Sequence, residues 1–167
     1  MKNIVIVGFM GTGKTTAAKL LAKQAGMRYV SIDGMIEKKE KRKIADIFAS
    51  SGEEFFRKIE SEVIKDLSKS GGAVIDAGGG AVIKEENIKN LKNNGVMICL
   101  SASIDAILNR TKNQAHRPLL NVDNPRKKIE ELLVKRAVYY KKADFTIDTS
   151  DLTVSEAVEK IKKIMHE

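Results

Sequence analysis

The chain has 167 residues, of which 43% are hydrophobic and 31% are charged, and its formal net charge is +8. This length suffices for one globular domain with a well-buried core, and the apolar runs are far shorter than the roughly 18 residues of a membrane-spanning helix. The charge suits anionic ligands, but only 5% of residues are aromatic and the lysines are spread over predicted helix surfaces, so we expect no nucleic acid partner.

Short apolar runs alternate with amphipathic segments along the whole chain. The first run, in MKNIVIVG, is too short for the apolar region of a signal peptide, so we expect a cytoplasmic protein. Strands are predicted over 4–7, 28–32, 73–77, 96–100 and 145–148. Helices are predicted over 15–25, 85–94, 103–111 and 126–141, and a capping box of Thr153 and Glu156 opens the last helix.

The segment between the second and third strands is predicted to be helical in three pieces. The second piece carries Ile44, Ile47 and Phe48 on one face, and the capping-box spacing of Ser51 and Glu54 predicts the start of the third. Five apolar strands that alternate with helices predict a parallel sheet covered on both faces. The expected architecture is therefore a three-layer α/β sandwich.

The stretch GFMGTGKTT, residues 8–16, follows the first strand directly and runs into a helix. It fits the phosphate-binding pattern G-x-x-x-x-G-K-[ST] through Gly8, Gly13, Lys14 and Thr15. Glycines let backbone N–H groups point at phosphate oxygens, and the helix adds its positive N-terminal end. Lys14 can reach the β- and γ-phosphates, and the Thr15 hydroxyl can ligate Mg²⁺. The pattern predicts a bound nucleoside triphosphate; the alternative is a glycine turn beside a surface lysine.

Other motifs narrow the class of nucleotide-binding protein. A guanine-specific switch would carry N-K-x-D or a similar base-reading motif, which this sequence lacks. A motor or an AAA-type ATPase would normally need a longer chain. A short chain with internal loops able to cover an acceptor favours a kinase of small molecules.

Several polar residues fit the acceptor site of such a kinase. Asp33 follows the second strand, at the sheet edge where ligands bind, and could act as a base or orient a hydroxyl, or it could be a helix N-cap. Arg57 and Glu60 lie three residues apart on one helix, so Arg57 could grip a carboxylate, or the two could form a surface ion pair. Arg117 lies in a long irregular stretch, where it could close over the γ-phosphate.

A second glycine cluster ends the third strand, in VIDAGGGAVI. Taken together with the motifs above, this cluster makes the chain resemble shikimate kinase nearly from end to end. The segments that carry the resemblance are GFMGTGKTT, DGMIE, IADIFASSGEEFFRKIE, GGGAV, RPLL and RAVYY. Together they are far more specific than the phosphate-binding loop alone.

Enzymes of that family phosphorylate the 3-hydroxyl of shikimate from MgATP, on the route to aromatic amino acids. The resemblance implies a P-loop fold like that of nucleoside monophosphate kinases, with strand order 2-3-1-4-5. It implies a single domain over 1–167, with a substrate-binding segment at about 33–60 and a lid at about 112–124. It also implies ATP as co-substrate, Mg²⁺ as cofactor, and a monomer that acts on small molecules without nucleic acid or membrane.

The resemblance further implies the roles of individual residues. The catalytic residues would be Lys14, Asp33 and Arg117. The ATP-binding residues would be Gly11, Thr12, Gly13, Lys14, Thr15, Thr16, Arg110 and Arg117, with the segment at about 148–152 on the other side of the adenine pocket. The substrate-binding residues would be Asp33, Arg57, Gly78, Gly79, Gly80 and Arg136, with Glu60 positioning Arg57. Arg57 and Arg136 would grip the shikimate carboxylate, and Gly79 would contact shikimate through its backbone.

One position departs from the family pattern. The family usually has D-x-D after the second strand, where the first Asp helps to hold the Mg²⁺ shell, and this chain has Ser31 there. Asp76, at the end of the third strand, lies where a Walker B carboxylate would sit. We hypothesise that Asp76 supports Mg²⁺ through water while Thr15 ligates the ion directly. The alternative is that Ser31 and water suffice.

Two other functions stay open at this point. A gluconate kinase or a nucleotide-type kinase would share the fold but use a different acceptor site, and GGGAV and RPLL argue against it. A catalytically silent protein could bind ATP as a structural or regulatory ligand, and only the altered position 31 supports that alternative.

Overall fold

The computed structural model describes residues 1–112 and 122–167. Five strands within these residues form a single sheet in which each neighbouring pair is parallel. The strands are β1 (Asn3–Gly8), β2 (Arg28–Ser31), β3 (Ala73–Asp76), β4 (Gly95–Ser101) and β5 (Phe145–Asp148). Their order across the sheet is β2-β3-β1-β4-β5, which confirms the order that the resemblance implied.

Helices connect the strands and follow the last one. The helices that the described ranges contain are α1 (Lys14–Ala25), α2 (Ile32–Glu40), α3 (Ile44–Leu67), α4 (Glu85–Asn93), α5 (Ile104–Thr111), α6 (Pro125–Tyr140) and α7 (Val154–His166). The bounds of the elements differ from the predicted ones by single residues, apart from the predicted split in α3. Within the described part of the chain, no helix has the length and apolarity needed to cross a membrane.

The caps explain where two of these helices begin or break. The predicted capping box opens α7, since the Thr153 hydroxyl accepts from the backbone of Glu156 and the Glu156 carboxylate accepts from the backbone of Thr153. The predicted split in α3 is a kink at Gly52, whose φ of 81° and ψ of 172° are not helical. The Ser51 hydroxyl accepts a hydrogen bond from Arg42 Nη2 at 2.9 Å. A glycine conformation rather than a capping box therefore marks the break.

Helices cover both faces of the sheet, and successive side chains of each strand point to opposite faces, so both faces are buried. On one face, Val5 and Ile75 belong to an apolar cluster shared with α2, α3 and α4. On the other face, Ile6 and Val74 belong to a cluster shared with α1 and α7. The molecule is thus the predicted three-layer α/β sandwich.

A third apolar cluster fixes α5 and α6 near the carboxyl end of β1. Its fully buried members are Phe9, Ile107 and Ile129. The Arg136 guanidinium of α6 lies 5.6 Å from the centre of the Phe9 ring, within the range of a cation–π contact. Because all strands are parallel, the loops after β1, β2 and β3 also meet at this edge of the sheet. The fold therefore gathers the candidate site residues of distant segments at one edge.

Candidate active site

The loop between β1 and α1 is closed by contacts to the backbone of Phe9. The Thr12 hydroxyl donates to Phe9 O at 2.7 Å, and Lys14 Nζ donates to the same oxygen at 3.0 Å. Gly13, the N-cap of α1, has a left-handed φ of 90°, which a residue with a Cβ rarely adopts. The first turn of α1 therefore presents its N–H groups and positive end to the space beside the loop.

A cavity of about 380 Å³ adjoins this loop. Seven of the predicted ATP-binding residues line it: Gly11, Thr12, Gly13, Lys14, Thr15, Thr16 and Arg110. Its other wall includes Thr149 and Leu152, which belong to the segment predicted to flank the adenine. The eighth predicted residue, Arg117, lies outside the described residues, as does most of the predicted lid. The described part of the loop and the end of β5 thus form one nucleotide-sized space.

Arg110 ties the phosphate-binding loop to the end of β5. Its guanidinium donates to Gly11 O at 3.1 Å and to Thr149 O at 2.5 Å. The Thr149 hydroxyl lies 3.0 Å from Thr12 O and accepts from Arg110 Nη1 at 3.1 Å. Several hydrogen bonds hold the arginine in one orientation, so it serves as a wall of the cavity. Sequence reasoning assigned Arg110 to the adenine and did not predict this link.

A second cavity, of about 650 Å³, lies beside the first and shares Lys14 and Thr15 with it. The other residues that line it are Met10, Lys19, Tyr29, Ser31, Asp33, Asp76, Gly78, Gly79 and Arg136. Three positive side chains, Lys14, Lys19 and Arg136, therefore face the same space as two carboxylates. The shared wall means that a ligand in the second cavity would lie next to the end of a nucleotide bound in the first.

Asp33 lies in the first turn of α2 and faces the second cavity. The alternative role of Asp33 as a helix N-cap is wrong, because α2 begins at Ile32 and the Ser31 hydroxyl caps it, accepting from Gly34 N at 3.0 Å. Averaged over all of its atoms, Asp33 is exposed to solvent. Nevertheless, the surrounding protein desolvates its carboxylate and raises its pKa, and nearby Asp76 raises it further, while Lys14 opposes the shift. This carboxylate is available to interact with a ligand.

Arg57 and Glu60 form a buried ion pair. Arg57 Nη1 lies 2.9 Å from Glu60 Oε1, and the Glu60 side chain is only 1% exposed. The alternative of a surface ion pair is therefore wrong. Burial raises the pKa of Glu60, and the charge and hydrogen bond of Arg57 oppose the shift. The pair fixes the guanidinium at the edge of α3, where it also lies over the Phe56 ring at 5.2 Å.

Each glycine of the 78–80 segment lies against one of the predicted acceptor side chains. A Cβ added at Gly78 would lie 3.3 Å from Asp33 Oδ1, and one added at Gly79 would lie 3.1 Å from Arg136 Nη1. A Cβ added at Gly80 would overlap the Arg57 guanidinium. None of the three has a left-handed φ. Glycine is needed here for close approach, because three charged side chains from α2, α3 and α6 converge on one short stretch of backbone.

Tyr140 also reaches this stretch, although sequence reasoning did not select it. Its hydroxyl donates to Gly79 O at 3.0 Å, and burial raises its pKa, with the nearby charge of Arg136 opposing the shift. A usable signal was present in RAVYY, because Arg136 and Tyr140 are four residues apart and share a helix face. The hydroxyl holds the carbonyl of the central glycine of the cluster.

The residues around Thr15 fit a magnesium ion bound together with a nucleotide. Magnesium prefers hard oxygen donors and keeps several waters. Thr15 Oγ1 donates to Asp76 Oδ2 at 2.7 Å, and Asp76 lies opposite Ser31 in the pairing of β2 and β3. Within residues 1–112 and 122–167, no three His, Cys, Asp or Glu side chains cluster to hold a metal without further ligands. Thr15 and phosphate oxygens would therefore be the direct ligands, with Asp76 behind them.

Comparisons with known proteins agree with this arrangement. The family model described as shikimate kinase matches residues 10–166. A shikimate kinase of Thermodesulfovibrio yellowstonii is 51% identical over 163 residues, which cover 98% of this chain and 94% of that protein. A shikimate kinase of Thermoanaerobacter pseudethanolicus is 43% identical over 163 residues, with 98% and 95% covered.

A solved structure extends the likeness to three dimensions. The shikimate kinase of Acinetobacter baumannii in complex with shikimate has a TM-score of 0.92 and 35% identity to this chain. The match covers 99% of this chain and 93% of that one. Given the family match over nearly all of the sequence and the shared fold, this chain belongs to the shikimate kinase family.

Proposed function

We propose that this protein transfers the γ-phosphoryl group of ATP to the 3-hydroxyl of shikimate, giving shikimate 3-phosphate and ADP. This reaction is a step in the biosynthesis of chorismate and the aromatic amino acids. The observation that carries the proposal is the convergence of Asp33, Arg57 and Arg136 on the Gly78–Gly80 segment. That segment borders the cavity that shares Lys14 and Thr15 with the nucleotide cavity. Family membership and the shikimate bound to the Acinetobacter relative support the same acceptor.

Two arginines would bind the carboxylate of shikimate. Arg57 is held by the buried Glu60, and Arg136 lies over the Phe9 ring, so both guanidinium groups are oriented before a ligand arrives. A guanidinium can bind a carboxylate through two parallel hydrogen bonds. Gly79 lines the second cavity, so its backbone would contact the ring of the acceptor. This arrangement would select a small ring that carries a carboxylate.

Asp33 would act on the hydroxyl that is phosphorylated. In the transfer, the 3-hydroxyl oxygen forms a bond to the γ-phosphorus as the bond from that phosphorus to the β,γ-bridging oxygen breaks, and ADP leaves. The carboxylate of Asp33 orients the hydroxyl and takes its proton. Because phosphoryl transfer is largely dissociative, the proton moves late and orientation is the larger contribution.

Positive groups would stabilise the charge that moves onto the phosphates. Lys14 lines both cavities and so would contact the transferring group, and Arg117 would close over it from the lid. When bound, Mg²⁺ neutralises the charge that develops on the β- and γ-phosphate oxygens. Thr15 would ligate the ion directly and Asp76 would support it through water. If Asp76→Asn leaves the apparent Mg²⁺ requirement unchanged, that role of Asp76 is refuted.

The test of the proposed function is a coupled assay of ADP release with three conditions: shikimate, gluconate and no acceptor. We expect release only with shikimate. Release with gluconate would indicate the alternative acceptor. Nucleotide binding without release under any condition would indicate the silent ATP-binding protein.

Two further expectations concern the protein as a whole. We propose that it acts as a monomer in the cytoplasm, on small-molecule substrates. Light scattering coupled to size-exclusion chromatography would check the oligomeric state against the chain mass of 18.4 kDa. A mass near twice that value at working concentration would contradict the monomer.

A further inference from the structure

Tyr29 and Asp76 are joined by a hydrogen bond that no part of the proposed reaction has used. The Tyr29 hydroxyl donates to Asp76 Oδ2 at 3.0 Å. The same carboxylate oxygen accepts from Thr15 Oγ1 at 2.7 Å. Asp76 is only 8% exposed, so few water molecules compete for its oxygens. Three side chains from β2, β3 and α1 therefore form a continuous hydrogen-bonded chain beside the phosphate-binding loop.

The two donors determine which atoms are left to bind a cation. The single proton of the Thr15 hydroxyl is committed to Asp76, so the lone pairs of Thr15 Oγ1 are free to act as a ligand. Asp76 Oδ2 receives two hydrogen bonds, so the carboxylate cannot rotate without breaking both. Groups in this position behind a direct ligand typically orient it and tune its affinity for the metal.

The Tyr29 ring is itself held in place. Lys19 Nζ lies 5.6 Å from the ring centre, and the ring packs against the apolar cluster between the sheet and α1. Burial and the negative charge of Asp76 raise the pKa of Tyr29 to about 12. The phenol therefore remains a proton donor throughout the neutral range.

We propose that Tyr29 is a positioning residue for the metal-bound nucleotide: its hydroxyl holds Asp76 against Thr15, and Thr15 is thereby oriented to ligate Mg²⁺. The proposal rests on the proposed function, and in particular on Thr15 as the metal ligand. In this arrangement Asp76 of β3 supports the ion, whereas the hydroxyl of Ser31 on β2 caps α2.

The test compares Tyr29→Phe with the wild-type enzyme in two measurements. The first is the dissociation constant of Mn²⁺ from its complex with ADP and the enzyme, followed by the electron paramagnetic resonance of free Mn²⁺. The second is the Mg²⁺ concentration for half-maximal activity with shikimate and ATP. We expect both values to rise by about 3–10-fold. This effect is smaller than for loss of a group that is hydrogen-bonded to a metal ligand itself, because Tyr29 acts on Thr15 only through Asp76. The KM for shikimate should be unchanged.

Matched tyrosine variants supply the controls. Tyr140→Phe loses the bond to Gly79 O, so it should raise the KM for shikimate and leave the Mn²⁺ constant unchanged. Tyr139→Phe, on the face of α6 that packs against the core, should change neither value. In an Asp76→Asn background, Tyr29→Phe should have no further effect on the Mn²⁺ constant, because its action passes through Asp76.

Three outcomes would overturn the proposal. One is an unchanged Mn²⁺ constant in Tyr29→Phe, with or without a lower Tm, since a purely structural role would give that result. Another is full additivity of Tyr29→Phe and Asp76→Asn. The third is an equal loss of Mn²⁺ affinity in Tyr140→Phe. The Mn²⁺ titration needs no acceptor, so its result stands even if shikimate proves not to be the substrate.

Discussion

At the scale of single residues, Asp33 combines access to the cavity with a raised pKa. Its folded-state pKa lies above the ordinary value because the protein desolvates the carboxylate and Asp76 adds negative charge nearby. The ionised form is the one that can accept a proton. As the pH falls through the raised pKa, the carboxylate protonates and activity is lost, so the acid limb of kcat/KM should lie above the ordinary aspartate pKa of 3.8.

Substitution of Asp33 tests its role. We expect Asp33→Asn to lower kcat by about 10²–10⁴-fold and to remove this acid limb. Steady-state kinetics between about pH 4.5 and about pH 8 would measure both effects. Asp46→Asn, which changes an exposed carboxylate on α3, is the matched control and should leave the profile as in the wild type. A preserved rate in Asp33→Asn would exclude a base role for the carboxylate, because the Asn oxygen can still accept a hydrogen bond but cannot take the proton.

A side chain at Gly79 would crowd three groups around the expected acceptor site at once. A Cβ there would lie 3.1 Å from Arg136 Nη1, 3.2 Å from Gly8 O and 3.3 Å from the Tyr140 hydroxyl. Gly79→Ala should therefore displace the groups expected to bind shikimate and weaken its binding by about tenfold, or about 1.4 kcal/mol. Isothermal titration with shikimate and with ATP would separate the two sites.

The binding of ATP by Gly79→Ala is the internal control. It should stay close to the wild-type value, because the described residues of the nucleotide cavity do not include Gly79. Loss of ATP binding with retention of shikimate binding would mean that the two glycine loops have been assigned to the wrong ligands.

At the scale of elements, α3 carries a buried ion pair that we expect to contribute both to stability and to substrate binding. Glu60 is 1% exposed and Arg57 is 16% exposed, so removal of the arginine leaves a carboxylate in the core. We expect Arg57→Ala to lower the free energy of unfolding by about 3 kcal/mol at neutral pH. Without Arg57 the folded-state pKa of Glu60 rises further above its unfolded value. The loss should therefore grow as the pH rises, and urea unfolding at several pH values would measure it.

Two variants sharpen this experiment. In Arg57→Ala/Glu60→Gln the buried charge is gone, so stability should largely recover. Shikimate affinity should stay low, because the guanidinium expected to bind the shikimate carboxylate is missing. Lys39→Ala breaks an exposed pair with Glu62 of α3, and it should cost no more than about 1 kcal/mol. An equal loss of stability in Lys39→Ala and Arg57→Ala would contradict the buried character of the Arg57 pair.

At the scale of the whole molecule, two adjoining cavities share one wall at Lys14 and Thr15. Each ligand should therefore stabilise the folded protein through its own contacts. A ligand at about 100 times its Kd adds about 2.7 kcal/mol, which for a domain of this size raises Tm by about 5–10 °C. Differential scanning fluorimetry with MgADP and with shikimate would measure the two shifts.

A variant of the shared wall should affect the two shifts unequally. Lys14→Ala removes a side chain expected to contact phosphates, so the shift with MgADP should shrink strongly. The shift with shikimate should remain, because Arg57 and Arg136, and not Lys14, are expected to bind its carboxylate. Loss of both shifts together would mean that the two sites do not bind independently.

Much of this molecule follows from its sequence. The alternation of apolar runs and amphipathic segments determined the strands, the helices and the three-layer architecture. A strand buried on both faces reads as a continuous apolar run, whereas a helix packed on one face has an apolar period of 3.6. The phosphate-binding loop was readable from GFMGTGKTT, since its chemistry depends on residues that are close in sequence. The family was readable because its motifs are spread over nearly the whole chain.

Other features depend on contacts between residues far apart in the chain, and only the tertiary structure decided them. The burial of Glu60 excluded a surface ion pair, and the cap at Ser31 left Asp33 free to face the cavity. Spacing on a single helix or strand cannot report either fact, because it does not show what packs against that element. The same limit hid the bond from Tyr29 to Asp76, since these residues are 47 positions apart in the chain but lie on strands that are adjacent in the sheet.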